Sequence, residues 1–241
     1  MNEWKEVYEP ITRVKESYYQ SLSDRVTEKE WDAMLKKLKT STAPGISGIG
    51  YILIKQASAK TQVAFRNFAS RCLETGKIPL KWKVGQTYPI PKDVDWQFNL
   101  SNIRPIVLLE TFRKCVTKVY TTRLERIIRV NNILEGSNFV GLIGSLTESL
   151  IHILSMIIEE AKEKNKELWI MLQDMKKVFD SVSLDSLKLA LQRIKILVLE
   201  QSFILDLFDK RQTRIITALG LIEAITAGDR IEQGEIISPL I

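Results

Sequence analysis

The sequence has little of the material that most enzyme active sites use. Among its 241 residues there is one histidine, His152, and there are two cysteines, Cys72 and Cys115. One histidine leaves almost nothing for a Ser-His-Asp triad, a Cys-His pair or a histidine-ligated metal. The two cysteines lie far apart, each on an apolar helical stripe, which predicts buried thiols in a reducing compartment rather than a zinc site or a disulfide framework.

Long apolar runs are also missing. The longest, around residues 150–158, is interrupted by His152 and Ser155 and is too short and too polar to span a bilayer. The N-terminal segment MNEWKEVYEP is charged and lacks the apolar core of a signal peptide. We therefore expect an intracellular, soluble protein without a membrane partner; the sequence does not distinguish nucleus from cytoplasm.

The overall composition is that of a folded protein. Hydrophobic residues make up 45% of the chain and charged residues 27%, so the chain can bury a sizeable core. The net charge is +6 at pH 7, which favours polyanionic partners. A charge of this size does not establish nucleic-acid binding by itself.

Helical periodicity dominates the chain. Apolar spacing, capping boxes and a glycine C-cap mark the helix ends. We predict helices after the capping box of Thr27 and Glu30, over 60–75 with Gly76 as C-cap, over 109–129, after the capping box of Ser145 and Glu148, and near 184–194 and 199–210.

The predicted strands are short. Val84 to Pro91 has strand character, but Pro89 and Pro91 confine it to a sheet edge or a strand end. Residues 213–219 and 221–227 alternate in polarity on either side of Gly220, which predicts a β-ribbon. Helices outnumber strands, and this balance favours an α+β fold.

The 109–129 helix has cations on the faces away from its apolar stripe. They are Arg113, Lys114, Lys118, Arg123, Arg126 and Arg129. A basic helix face of this kind is either a solvated surface or a contact for nucleic acid. The sequence leaves both interpretations open.

The segment LWIMLQDMKKVFD, which begins at Leu168, carries the most chemical information. The bulky run from Leu168 to Leu172 predicts a fully buried strand that ends at Asp174. A carboxylate held at the end of a rigid strand is a common ligand for a divalent cation. Phe179 and Asp180 follow a few residues later.

Eight short motifs then occur in one order. They are APGISGIGYILIK from Ala43, GKIPLKWK from Gly76, YPIPK from Tyr88, IRPIVLLETFRK from Ile103, the pair Arg123 and Leu124, LIGSLTESL from Leu142, DMKKVFDSV from Asp174 and EQGEIISPL from Glu232. Together they resemble the reverse transcriptase domain of non-LTR (LINE-like) retrotransposons over about residues 38–241. The resemblance implies a helix-rich right-hand polymerase fold, with a helical lead-in at 1–40, a fingers-like region at 41–165 and a partial palm at 166–241.

The resemblance also implies roles for residues of the palm. Enzymes of this class use two divalent cations, normally Mg²⁺, and Asp174 matches the first catalytic, metal-binding aspartate. Phe179 matches the bulky residue that lies under the sugar of the incoming nucleotide. Gln233 matches a residue that lines the base and sugar pocket, and Gly234 matches the glycine that lets the backbone approach the nucleotide.

In the fingers, Lys92 and Arg104 resemble the pair that grips the triphosphate. Arginine can bind a phosphate through two parallel hydrogen bonds, while lysine supplies a point charge. The alternative for each is a surface cation. Arg104 lies before Pro105 in an apolar stretch, which favours a functional role over simple solvation.

The sequence departs from the family pattern at several positions. Ser47 and Glu235 stand where the family usually has aspartate, Val178 replaces a smaller alanine, and Leu197 lies near a usual proline. These differences indicate a relaxed, decaying copy. No Asp-Asp dipeptide is present, so the second catalytic carboxylate motif is missing. Ser238 followed by Pro239 predicts the start of a helix that the chain does not complete. We therefore expect a truncated domain that is inactive alone.

Three functions remain in competition. The first is an RNA-directed DNA polymerase domain that acts on an RNA template, a DNA primer and deoxynucleoside triphosphates. The second is a non-catalytic remnant that binds RNA or an RNA–DNA duplex with strong salt dependence and little sequence preference. The third is a remnant that folds poorly and has no activity.

Overall fold

The computed structural model describes residues 8–92, 95, 97, 99–134, 147–173, 181–228, 230–231 and 234–240. This part of the chain is helix-rich with a small sheet, which is compatible with the α+β class. Its α-helices are α1 (Glu28–Lys37), α2 (Tyr51–Gln56), α3 (Ala59–Thr75), α4 (Thr111–Val130), α5 (Thr147–Glu163), α6 (Leu184–Arg193) and α7 (Val198–Asp206). Its strands are β1 (Val84–Pro91), β2 (Ile103–Leu108), β3 (Gln212–Thr217), β4 (Gly220–Leu221) and β5 (Ile225–Thr226). None of the helices described has both the length and the apolarity to cross a membrane.

The helix ends follow the local signals in the sequence. The Thr27–Glu30 capping box is confirmed, because the Thr27 hydroxyl accepts from the Glu30 amide and the Glu30 carboxylate accepts from the Thr27 amide. Gly76 ends α3 in the left-handed region with φ of 64°, as predicted for a C-cap. Of the second predicted capping box, Glu148 lies in the first turn of α5 and Ser145 lies outside the described residues.

The sheet has the strand order β2-β1-β3-β4, and β5 also pairs with β3. β1 is antiparallel to β2 as far as Pro91, but it is parallel to β3 only over Val84–Thr87. Among the described residues, the half of β1 that contains Pro89 and Pro91 therefore pairs with β2 alone, as predicted for a segment at a sheet edge or a strand end. The ribbon is confirmed as well. Thr217 pairs with Gly220, so the chain reverses through residues 218–219, and Gly220, with φ of 110°, is the first residue of β4.

Residues 8–40 pack in the same core as the residues that follow. Val14, Tyr19 and Trp31 are buried against the central helix α4 and its neighbours. Arg123 of α4 fixes this contact, because its guanidinium donates to the Glu30 carboxylate at 2.7 and 2.8 Å. The lead-in is thus tied to α4 by a charged pair as well as by apolar packing.

Both cysteines are buried free thiols, as predicted. Burial raises the pKa of Cys72 to about 11 and that of Cys115 to about 12. A thiol with such a pKa is almost fully protonated at neutral pH and is a poor nucleophile.

The prediction of a buried strand at Leu168–Leu172 is wrong. Residues 168–173 have no regular secondary structure, and Trp169, Met171 and Leu172 are 86–88% exposed. A fully buried strand needs hydrogen-bonded neighbours and a packed layer on each face. Among the described residues, no strand pairs with this segment, so its apolar side chains lack the partners that burial requires.

The prediction of a solvated or nucleic-acid-binding basic face on α4 is wrong for three of its six cations. Arg113, Lys114 and Arg123 are buried, whereas Arg126 and Arg129 are exposed. The reason is that α4 is packed on most of its circumference, and cations facing the core require internal partners. Burial lowers the pKa of Lys114, with the carboxylate of Glu235 acting in the opposite direction.

Candidate functional site

The structure places Lys92 and Arg104 on one face of the β1–β2 hairpin. Arg104 pairs directly with Ile90, and Lys92 lies two residues beyond Ile90, on the same side of the strand. The amide of Lys92 donates to the carbonyl of Asn102 at 2.8 Å, which extends the ladder past the end of β1. Both side chains are exposed. Diagonal neighbours in such a pair lie roughly 7–8 Å apart, within reach of one polyphosphate for long side chains.

Local sequence holds the two cations in place. Pro105 restricts the preceding residue, Arg104, to extended backbone, so the arginine stays in the strand. The Lys92 ammonium donates to the carbonyl of Ser101 at 2.9 Å, which anchors the lysine at the hairpin end. Among the described residues, the side chain of Arg104 forms no hydrogen bond or ion pair, and its guanidinium can therefore bind an added anion.

Sequence reasoning missed a third cation, Arg214. It pairs with Gln86 in the parallel β1–β3 register and so lies on the face that carries Arg104. Tyr88 and Ile106, which are 37% and 45% exposed, lie between the two arginines on that face. Alternation within β3 separates its two faces, but no local pattern shows that β3 pairs with β1.

Gly234 lies against the backbone of β2. A Cβ added at this position would be 2.8 Å from the carbonyl oxygen of Val107, so only glycine fits without displacement of the backbone. Val107 is three residues from Arg104 on the same strand, and its side chain alternates to the opposite face. The structure thus brings Gly234 to the strand of Arg104 but not to the face of Arg104.

Glu235, the next residue, forms a fully buried ion pair with Arg113. Both side chains have an exposure of 0%, and Nε of Arg113 donates to Oε2 of Glu235 at 2.8 Å. The second carboxylate oxygen accepts from the amide of Ile236 at 3.0 Å. Glu235 is therefore completely paired, and its difference from aspartate is accommodated by the fold.

Ser47 is also accommodated. Its hydroxyl donates to Oε1 of Glu110 at 2.6 Å, and its amide donates to Oε2 at 3.3 Å. Glu110 is buried and precedes α4, so these bonds attach the loop at residues 42–50 to the start of that helix. Gly45 makes the close approach possible, because a Cβ there would be 2.6 Å from the Glu110 Cα.

An apolar cavity of about 680 Å³ lies beside this loop. Aromatic rings form much of its wall, namely Phe65, Phe68, Trp82 and Phe112. Two of its polar lining groups, Ser47 and Glu110, bond to one another. The lining is therefore mostly apolar, and it also includes the side chain of Lys81.

The remaining predicted site residues lie outside the described residues. These are Asp174, Phe179 and Gln233, together with Asp180. Within the described ranges, no group of three or more His, Cys, Asp or Glu side chains could hold a metal ion.

Comparison with known proteins gives two similar proteins with the same description. The chain is 32% identical over 171 residues, or 71% of its length, to the "Retrovirus-related Pol polyprotein from type-1 retrotransposable element R2" of Popillia japonica. It is 24% identical over 166 residues, or 69% of its length, to the protein so described in Nasonia vitripennis. The chain spans 22% and 16% of the lengths of these relatives. No protein-family model matches.

Proposed function

Because this chain is a region related to the reverse transcriptases of LINE-like, R2-type retrotransposons, we propose that it forms the fingers and the first part of the palm of an RNA-directed DNA polymerase. Its reaction class is template-directed transfer of a nucleotide from a deoxynucleoside triphosphate to a primer 3′ hydroxyl. The fingers correspond to residues 41–165 and the partial palm to residues 166–241.

The observation that carries this proposal is the shared face of Lys92 and Arg104. Two exposed cations at adjacent rungs of a hydrogen-bonded strand pair can bind the α-, β- and γ-phosphates of one nucleotide. The guanidinium supplies a planar pair of donors, and the ammonium supplies a compact charge. Their fixed spacing orients the triphosphate before chemistry, which is the main contribution a polymerase makes besides charge stabilisation.

The proposed palm residues would complete the site. Asp174 is the residue that we assign to Mg²⁺, Phe179 to the sugar of the incoming nucleotide, and Gln233 to its base and sugar pocket. Bound Mg²⁺ supplies activation of the primer hydroxyl and charge neutralisation of the triphosphate. The described residues add no carboxylate cluster to Asp174, so binding and orientation are what we assign to this chain, and we expect no primer extension by it alone.

A specific observation favours the second candidate, a non-catalytic nucleic-acid-binding module. Tyr88 is exposed on the same face as Arg104 and Arg214. An aromatic ring between cations is the usual platform for stacked bases and backbone phosphates of a single strand. This activity requires neither Asp174 nor a metal.

Nucleotide binding tests the proposed polymerase role. The binding affinity for dGTP, measured with equimolar Mg²⁺, should fall at least about tenfold in the double variant Lys92→Met/Arg104→Met, because each lost charge-assisted bond contributes roughly 1.5–3 kcal/mol. Arg126→Met/Arg129→Met removes two exposed cations elsewhere and should leave dGTP binding unchanged. Equal loss in both double variants, or no binding by the wild type, would refute the triphosphate site. RNA binding that survives without dGTP binding would favour the second candidate.

A further inference from the structure

The guanidinium of Arg113 joins four segments that are distant in sequence. Arg113 lies in the first turn of α4, and its Nη1 donates to the carbonyl of Trp82 at 2.9 Å. Its Nη2 donates to the carbonyl of Leu207 at 2.7 Å, and its Nε donates to the Glu235 carboxylate. The arginine thus connects α4, the turn before β1, the end of α7 and the turn that carries Gly234.

We infer that the Arg113–Glu235 pair is a positioning device for the nucleoside end of the nucleotide site. The inference rests on the proposed polymerase function. The pair does not touch substrate in this assignment. It acts by holding the Gly234 turn against β2, while Lys92 and Arg104 hold the phosphates independently.

The geometry makes this coupling tight. Gly234 is adjacent to Glu235 and approaches the Val107 carbonyl so closely that a Cβ there would lie 2.8 Å from it. The Glu235 carboxylate is held on one oxygen by Arg113 and on the other by the Ile236 amide. Because Gly234 is joined to Glu235 by a peptide bond, a shift of Glu235 moves Gly234 as well. Because β2 also carries Arg104, the pair fixes the turn relative to the strand that we assign to the triphosphate.

Glu235 is matched to this role by its length. Arg113 is fully buried in α4. Its Nε donates to Oε2 of Glu235 at 2.8 Å, and its Nη2 lies 2.6 Å from the same oxygen in the ion pair. Aspartate is shorter by one methylene and would have to bring its backbone closer to keep both contacts. The glutamate therefore sets the distance between the Gly234 turn and α4.

A second buried ion pair provides the control. Lys83 and Asp206 are 5% and 18% exposed and are joined at 2.8 Å. Asp206 also accepts from the Ile78 amide, so it has the same structural character as Glu235. Among the described residues, no hydrogen bond or ion pair joins Asp206 to the Gly234 turn. Asp206→Asn should therefore show what a loss of stability does when the Gly234 turn stays in place.

The experiment compares two probes, tripolyphosphate and dGTP, each with equimolar Mg²⁺, by equilibrium dialysis with the full chain. Glu235→Gln keeps the side-chain shape and removes the charge, and Arg113→Lys removes the planar fork. Both variants should weaken dGTP binding by on the order of tenfold, because a turn that is no longer held against β2 has to be ordered when the nucleotide binds. Tripolyphosphate binding should stay within about twofold, since the hairpin cations remain.

Each result has one interpretation. Two results together support the positioning role. Glu235→Gln and Arg113→Lys lose dGTP binding and keep tripolyphosphate binding, and Asp206→Asn, at a matched urea midpoint, keeps the binding of both probes. Parallel loss of both probes, no loss of either, or the same selective loss in Asp206→Asn would overturn it. Failure of the wild type to bind tripolyphosphate would instead refute the proposed triphosphate site.

Discussion

Arg123 and Glu30 are 93 residues apart in the sequence, yet they form a bidentate pair at the junction of α1 and α4. Nε and Nη2 of the arginine lie 2.7 and 2.8 Å from the two carboxylate oxygens. Nη1 donates to the carbonyls of Leu22 and Asp24. This one side chain therefore pairs with the Glu30 carboxylate of α1 and also donates to two backbone carbonyls of the lead-in.

The first prediction concerns acid stability. The Arg123 guanidinium holds the pKa of Glu30 at about 2, below its usual 4.5. Because the folded-state pKa is depressed, the stabilisation is present above about pH 4.5 and is lost as the pH falls towards 2. Urea unfolding of the wild type should show this loss. Glu30→Gln should be less stable at pH 7 by about 1–3 kcal/mol and should lose less between pH 4.5 and 2.5. An equal pH slope in both proteins would contradict the pairing.

The second prediction concerns the close approach of Gly234 to β2. Gly234→Ala should destabilise the fold by about 1–3 kcal/mol, because its Cβ meets a backbone carbonyl that cannot move freely. Gly228→Ala is the matched control, since nothing lies within 4 Å of a Cβ there and alanine is expected to be neutral or slightly stabilising. Urea midpoints measure both. Equal midpoints in the two variants would mean that Gly234 is not packed against Val107.

The third prediction concerns Ser47, where the related family usually has aspartate. Ser47→Asp places a carboxylate within 3 Å or so of Glu110 and removes the hydroxyl donor, at an expected cost on the order of 1–3 kcal/mol at pH 7. Glu110→Gln in the same chain should recover part of this loss, because the repulsion is removed. A double-mutant cycle at pH 7 measures the coupling. Additive single effects would show that the two positions do not interact.

Some of the fold could be read from local sequence because its determinants are local. The Thr27–Glu30 capping box, the Gly76 C-cap and the proline-limited edge of β1 each depend on a few adjacent residues. Such features depend little on the rest of the chain. The shared face of Lys92 and Arg104 is different, because no local pattern predicts β2 as a strand and its register with β1 appears only in the structure.

The parts that could not be predicted depend on long-range partners. Arg113 looked like a member of a basic surface, but its carboxylate partner is 122 residues away in the sequence. Periodicity gives the face on which a cation lies and says nothing about what covers that face. The same reason applies to Glu235, whose difference from aspartate suggested decay although the fold pairs it completely.

The fourth prediction follows from the error at Leu168–Leu172. An apolar run is buried only if strands and layers are available to pair with it, and among the described residues none pairs with this one. Trp169 is 86% exposed, whereas Trp31 is 2% exposed. Acrylamide should therefore quench the fluorescence of Trp169 and hardly affect that of Trp31. Comparison of the wild type with Trp169→Phe and with Trp31→Phe gives the two contributions. Trp169→Lys should change the urea midpoint little, because surface substitutions usually stay within about 0.5 kcal/mol. A large loss of stability in Trp169→Lys would mean that the segment is buried, as the sequence pattern alone predicts.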